Sequence, residues 1–165
     1  MYTYSYTHPP VAADIVVFTL VEEQLHILLV QRGVEPYRGQ WALPGGFVGI
    51  DEDLEAAALR ELKEEAGVEE AFLEQIGAFG DPARDPRERV ISVGFWSTVR
   101  HDLLELTAGS DASATSLRPI TDLPDLAFDH GVIIDAAYQR LLGELTTSTI
   151  ALEFLPDEFT MAELQ

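Results

Sequence analysis

The stretch that most restricts how this chain can fold is Gly46 to Val68, GFVGIDEDLEAAALRELKEEAGV. Its second half is rich in Leu, Ala, Glu, Lys and Arg, all good helix formers. Asp51 or Asp53 can cap its start, and Gly67 stands where a left-handed stop is expected. Leu54, Ala58 and Leu62 recur every four residues, with Leu59 and Ala66 beside them, which predicts one buried face. The other face gathers Glu61, Glu64 and Glu65 within about one turn. Like charges so spaced repel, so something positive should offset them. A hard divalent cation suits such carboxylates, and a plain solvated acidic face is the alternative.

Gly46, Glu52, Arg60-Glu61, Leu62, Glu64-Glu65 and Gly67-Val68 match every fixed position of the pattern G-x5-E-x7-R-E-U-x-E-E-x-G-U, where U is aliphatic. The chain therefore resembles the Nudix hydrolases. The resemblance implies an α+β fold, an α/β/α sandwich with a mixed sheet between helices, and hydrolysis of a diphosphate bond with Mg2+ or Mn2+. It implies metal ligation by Glu61, Glu64, Glu65 and the backbone carbonyl of Gly45. It also implies an internal Arg60–Glu52 ion pair supporting the site, with Glu64 sharing a second ion. A homodimer is the family habit. The general base lies outside the box in many relatives, and the candidates here are Asp81, Asp85, Glu88 and Asp111, with Glu88 favoured on reach.

The 165 residues, 47% hydrophobic, suffice for one domain with a core, expected over 1–150. The lack of cysteine fits a reducing cytoplasm, and neither a secretory leader nor a membrane-length apolar run is visible. Ten Lys and Arg against 29 Asp and Glu give a net charge of −19, which argues against nucleic acid as a partner of residues 1–165. A small-molecule nucleotide substrate needs a local positive patch instead. Arg32 and Arg38 before the box, and Arg84 and Arg87 after it, are the candidates, because arginine grips phosphate through paired hydrogen bonds. Each could equally pair with surface carboxylates. The wording QRGVEPYRGQWALPGGF together with RDPRERV resembles Nudix proteins acting on ADP-ribose and the related regulators that sense it. That implies cleavage to AMP and ribose 5-phosphate. The alternatives are an ADP-ribose-sensing regulator domain and a house-cleaning nucleoside triphosphate pyrophosphohydrolase. Phe18, Tyr37 or Phe95 could stack on an adenine, or each could simply fill the core.

Residues 14–20 and 25–30 read as an antiparallel pair joined by 21–24, and 31–40 as a loop. Residues 72–79 and 90–99 read as strands around a Pro- and Arg-rich loop, and 101–116 as a flexible connection. Asp129 is the expected cap of a helix reaching about Leu142, with Ile133, Ala137 and Leu141 inward and His130 in a capping or core role. Residues 151–165 form a tail in which Thr160 to Glu163 spells a capping box. That tail resembles the approach to the winged-helix domain of Nudix-related regulators, and is either the start of such a domain or a coincidence.

Overall fold

The computed structural model describes residues 3–69, 71–104, 106 and 112–154. The capping box at the tail and Asp111 lie outside the described residues.

The first strand, β1 (Val11–Val21), is an apolar run buried along most of its length. It turns back into β2 (Gln24–Arg32) through Glu22 and Glu23, both with positive φ, a two-residue turn that matches strand twist. The hairpin connection is thus two residues shorter than the sequence suggested. Two short strands follow, β3 (Trp41–Ala42) against β2 and β4 (Gly45–Phe47) against the start of β1. After helix α1 (Leu54–Ala66) come β5 (Glu74–Phe79) and β6 (Ile91–Thr98), an antiparallel pair. β6 lies parallel to β1 in the sheet order β3-β2-β1-β6-β5, interior as its apolar sequence required.

Segment 101–116 departs from expectation. A short 3-10 turn, His101–Leu103, is followed by β7 (Ala112–Pro119), which pairs antiparallel with β2. Its Ala, Ser and Thr residues read as a linker, since Ser113 is exposed and 114–119 are only half-buried. Residues of that size and polarity suit a strand that, among the described residues, pairs with β2 alone.

Helix α2 (His130–Thr147) runs five residues past the expected end, and a 3-10 turn, Ile150–Phe154, packs after it. The two helices cover opposite faces of the mixed sheet. Ala57, Ala58, Leu62 and Ala66 of α1 meet Ala13, Ile15 and Val17, while Ile133, Ile134, Ala137 and Leu141 of α2 meet Val16 and Phe18. Odd and even residues of β1 thus feed two separate cores, which gives the expected α/β/α sandwich. Phe18 is fully buried, edge-on to Trp96, and cannot stack on a ligand; Phe95 is likewise a core residue. Among the described residues no helix is long and apolar enough to cross a membrane.

The sheet forks beside its middle. β1 has β6 along one edge, while its other edge pairs with β2 from Phe18 onward and with β4 from Ala12 to Asp14. Between the diverging strands, the Ile15 N–H donates to the Pro44 carbonyl. The opening of that fork is where the functional side chains collect.

Candidate functional site

Helix α1 is fixed at both ends by local chemistry. The Asp53 carboxylate accepts from the Glu55 N–H at 3.0 Å, a cap contributing about 1 kcal/mol, and Gly67 adopts φ 67° as its N–H bonds Lys63 O. With its apolar ridge on the sheet, the adjacent ridge carries Glu61 and Glu65 inward, each only 9% exposed, while Glu64 points outward. Both buried glutamates meet the turn of β4. The Gly45 N–H donates to Glu65 Oε2 at 3.2 Å, and a Cβ on Gly46 would overlap Glu61 Oε1. Gly45 has φ 154°, and a Cβ there would collide with Ala13 O and Asp14. Glycine at 45 is required by the close approach of the β1 backbone, and glycine at 46 lets the Glu61 carboxylate lie against the strand.

Burial, then the charge of Glu61, pushes the Glu65 carboxyl up to about 8. Glu61 is raised as well, by burial, although Arg60 opposes the shift. Arg60 is the local counter-ion. Its Nε and Nη2 bond Glu52 at 2.8 and 3.1 Å, its Nη1 bonds Glu61 at 2.6 Å and stands 3.9 Å from Glu64, and Nη2 also reaches Phe47 O. Glu52 in addition accepts the Gly49 N–H, and Arg60 foremost holds its carboxyl down at about 2. The expected Arg60–Glu52 pair therefore exists, and it extends to orient Glu61.

These glutamates form one wall of a cavity of about 280 Å³, also lined by Gly45, Gly46 and Phe47. Among the described residues no three acidic or histidine side chains close on a single point, since Glu61 turns to Arg60 and Glu65 to Gly45. The donor set nevertheless fits a divalent cation. Two of its carboxylates are buried beside one another at a cost that positive charge relieves, they abut a strand with no side chain in the way, and a guanidinium already sits between Glu61 and Glu64.

The opposite wall is basic and aromatic. Arg32 lies 4.8 Å over the Phe128 ring and donates to Pro36 O. Arg87 lies 5.6 Å from the Phe47 ring and 5.7 Å from Phe128, and pairs with Asp85 at 2.7 Å. Tyr37 meets Phe128 edge-on at 4.9 Å, and both residues hold positive φ, 63° and 54°, an unusual conformation for bulky side chains.

Arg84 plays a different part from the one its sequence suggested. Its side chain is 3% exposed, and Nε and Nη2 grip both oxygens of Asp129 while Nη2 reaches Asp14 at 3.4 Å. Burial works against its charge, but the two carboxylates outweigh it and keep it protonated. Asp129 stands at the N-cap position of α2 without capping, because its carboxylate is turned to Arg84. Ser92 donates to Asp14, and His130 Nε2 lies 3.8 Å from it. The Leu43 N–H donates to His130 Nδ1, which places the neutral ring's proton on Nε2; burial keeps that ring neutral despite Asp14. His130 is thus buried and bonded to the β3–β4 connection while it also lines the cavity.

Of the residues singled out from sequence, Arg32, Gly45, Glu61, Glu64, Glu65, Arg84, Asp85, Arg87 and His130 share the cavity. Glu52 and Arg60 stand behind it. Arg38 is exposed and donates to Gly33 O, and Glu88 is exposed, both outside the cavity lining. Asp81 caps a turn through the Ala83 N–H, and Asp85 is held by Arg87, which lowers its pKa. The sequence reading missed Asp14 and Phe128. For Asp14 there was a signal, a lone carboxylate opening an apolar strand; for Phe128 there was none beyond its place before a cap.

A model of the NUDIX domain matches residues 8–137. The ADPR responsive transcriptional repressor NtrR of Acinetobacter baylyi is 33% identical over 164 residues, 97% of this chain, which spans only 65% of the repressor's length. An ADP-ribose pyrophosphatase of Methanocaldococcus jannaschii is 43% identical over 129 residues, 78% of this chain and 73% of the enzyme. The NUDIX domain of Shewanella oneidensis NrtR, solved in complex with ADP ribose, has a TM-score of 0.76 at 34% identity, over 83% of this chain and 91% of that domain.

Proposed function

The chain belongs to the NUDIX domain family, and we propose that it hydrolyses the diphosphate link of ADP-ribose, yielding AMP and ribose 5-phosphate. The observation that carries the proposal is a single cavity with carboxylates on one wall and arginines stacked on aromatic rings on the other. Such a cavity suits a ligand that is anionic in the middle and planar at one end. Identity to the Methanocaldococcus jannaschii enzyme and likeness to the ADP-ribose-bound Shewanella oneidensis domain support the choice of substrate.

Glu61, Glu64, Glu65 and the backbone of Gly45 would hold Mg2+ or Mn2+, with Arg60 and Glu52 orienting Glu61 from behind. When bound, the divalent ion supplies charge neutralisation for the diphosphate and a more acidic water. The remaining work falls to the chain. Arg32 and Arg87 reach the phosphates from the basic wall, held there over the Phe128 ring. Hydrolysis adds water across the P–O–P link, so a base must take one proton; we keep Glu88 as the candidate, exposed on loop 80–89. We further place the protein in the cytoplasm as a homodimer, on the cysteine-free sequence and the family habit. Residues 1–150 form the catalytic unit in this reading.

One observation favours a second reading. The match to the Acinetobacter baylyi repressor runs over nearly the whole chain, so ADP-ribose binding without turnover, in a regulator, is the competing function. Incubation with ADP-ribose, NADH, diadenosine polyphosphates and nucleoside triphosphates, with and without Mg2+, separates them. AMP released from ADP-ribose only with the ion supports the enzyme. Saturable binding with no product supports the sensor, and preferred cleavage of triphosphates overturns both.

A further inference from the structure

The basic wall holds two arginines that the sequence treats alike and the fold treats differently. Arg84 is buried and engaged on two carboxylates, whereas Arg87, three residues on, is 41% exposed and faces the cavity. Between them Asp85, 5% exposed, accepts the Arg87 backbone N–H at 2.9 Å and its guanidinium at 3.0 and 2.7 Å. The loop from Arg84 to Arg87 is therefore a short series of clamps, anchored at its buried end. On the other side of that anchor, Asp129 follows Phe128, the ring over which Arg87 lies. One ion pair, buried on its arginine side, thus fixes the backbone beside both partners of the exposed contact, and Asp129 gives up its capping bond to do so.

We infer that the Arg84–Asp129 pair is a positioning device that sets Arg87 against Phe128 at the cavity mouth, so that Arg87 meets the anionic ligand and Arg84 never touches it. The inference rests on the nucleotide-hydrolase reading for its ligand, but not for its geometry. Arg84 belongs to loop 80–89, and Asp129 to the start of α2, elements far apart in sequence that this pair ties together. Without the pair, Arg87 keeps its chemistry and loses its place.

The test is a double-mutant cycle on ADP-ribose hydrolysis with Mg2+, comparing wild type, Asp129→Asn, Arg87→Ala and the double variant. Each single variant is expected to raise KM roughly fivefold with kcat nearly unchanged, and the double variant to be no worse than Arg87→Ala alone. Hydrogen exchange at the Arg87 amide, measured without ligand, should be faster in Asp129→Asn. Additive effects on KM, or an unchanged exchange rate, overturn the inference. If Asp129→Asn does not fold, Arg84→Lys serves in its place, since it keeps the charge and loses the two-pronged grip. A wild type that leaves ADP-ribose intact sinks the functional reading instead, and the exchange measurement then decides the positioning role by itself.

Discussion

The two walls of the cavity were written in the sequence with equal emphasis, as a run of glutamates and a run of arginines, yet only one of them could be read. On α1 the functional geometry follows from local rules. Glu61 and Glu65 are one helical turn apart, the helix has caps at both ends, and the apolar ridge beside them dictates which way they point. Among the arginines no single element decides the roles, some of which depend on partners far away in the chain and others on their own loop. Arg84 finds Asp129, Arg87 finds Phe47 and Phe128, and Arg38 turns back to the Gly33 carbonyl. Residue type announced the chemistry in both cases; spacing announced the place only where one element supplied all the groups.

That contrast can be broken most directly at Glu65. Glu65→Gln should lower turnover at least about 100-fold while the fold persists, because it removes a carboxylate proposed to hold the divalent ion. Wild-type rates in that variant, measured as AMP release, would refute the assignment of the acidic wall.

A smaller effect is expected on stability. In the ion-free protein the Glu65 carboxyl titrates near 8, above its ordinary 4.5, so the folded state holds a proton that the unfolded state gives up. Its contribution is complete below pH 4.5 and is lost as pH rises toward 8, a change on the order of a few kcal/mol. Urea melts at pH 5 and pH 8 should show the ion-free protein weakening between them, and Glu65→Gln should flatten the difference. Mg2+ at about 100 times its Kd should restore about 2.7 kcal/mol at pH 8. Melting curves that ignore the ion would remove the acidic wall as a preformed site.

Arg60→Gln comes next. It leaves every carboxylate in the cavity but frees Glu61 and Glu52, and a drop in kcat of about tenfold is expected from steady-state kinetics. The smallest effect belongs to Arg38→Ala, which should stay within about twofold of wild type in kcat/KM, because the side chain serves its own loop. A large loss there would mean that the basic wall extends beyond the cavity lining and would narrow the contrast between the two.

Much of the fold was legible for the same reason as α1. Apolar runs marked β1, β2 and β6, and four-residue spacing marked the inward face of α2 at Ile133, Ala137 and Leu141. β7 was hidden because Ala, Ser and Thr serve edge strands and linkers alike, so its pairing with β2 had no signature of its own. Phe18 was misplaced because an aromatic ring in an apolar strand has the same appearance in sequence whether it lines a pocket or fills a core. Asp129 was found as the start of a helix, but whether its carboxylate would cap or pair depended on an arginine 45 residues upstream.

β1 is sandwiched between two cores, so the polarity of its apolar residues alone would not oppose a slide by one position. What forbids the slide is Asp14, whose carboxylate finds Ser92 and Arg84 only in the native alignment and would otherwise be driven into hydrocarbon. A lone acid at the head of that strand thereby acts as an index mark for the central pairing of the molecule, and an apolar replacement there would free the sheet to assemble out of step.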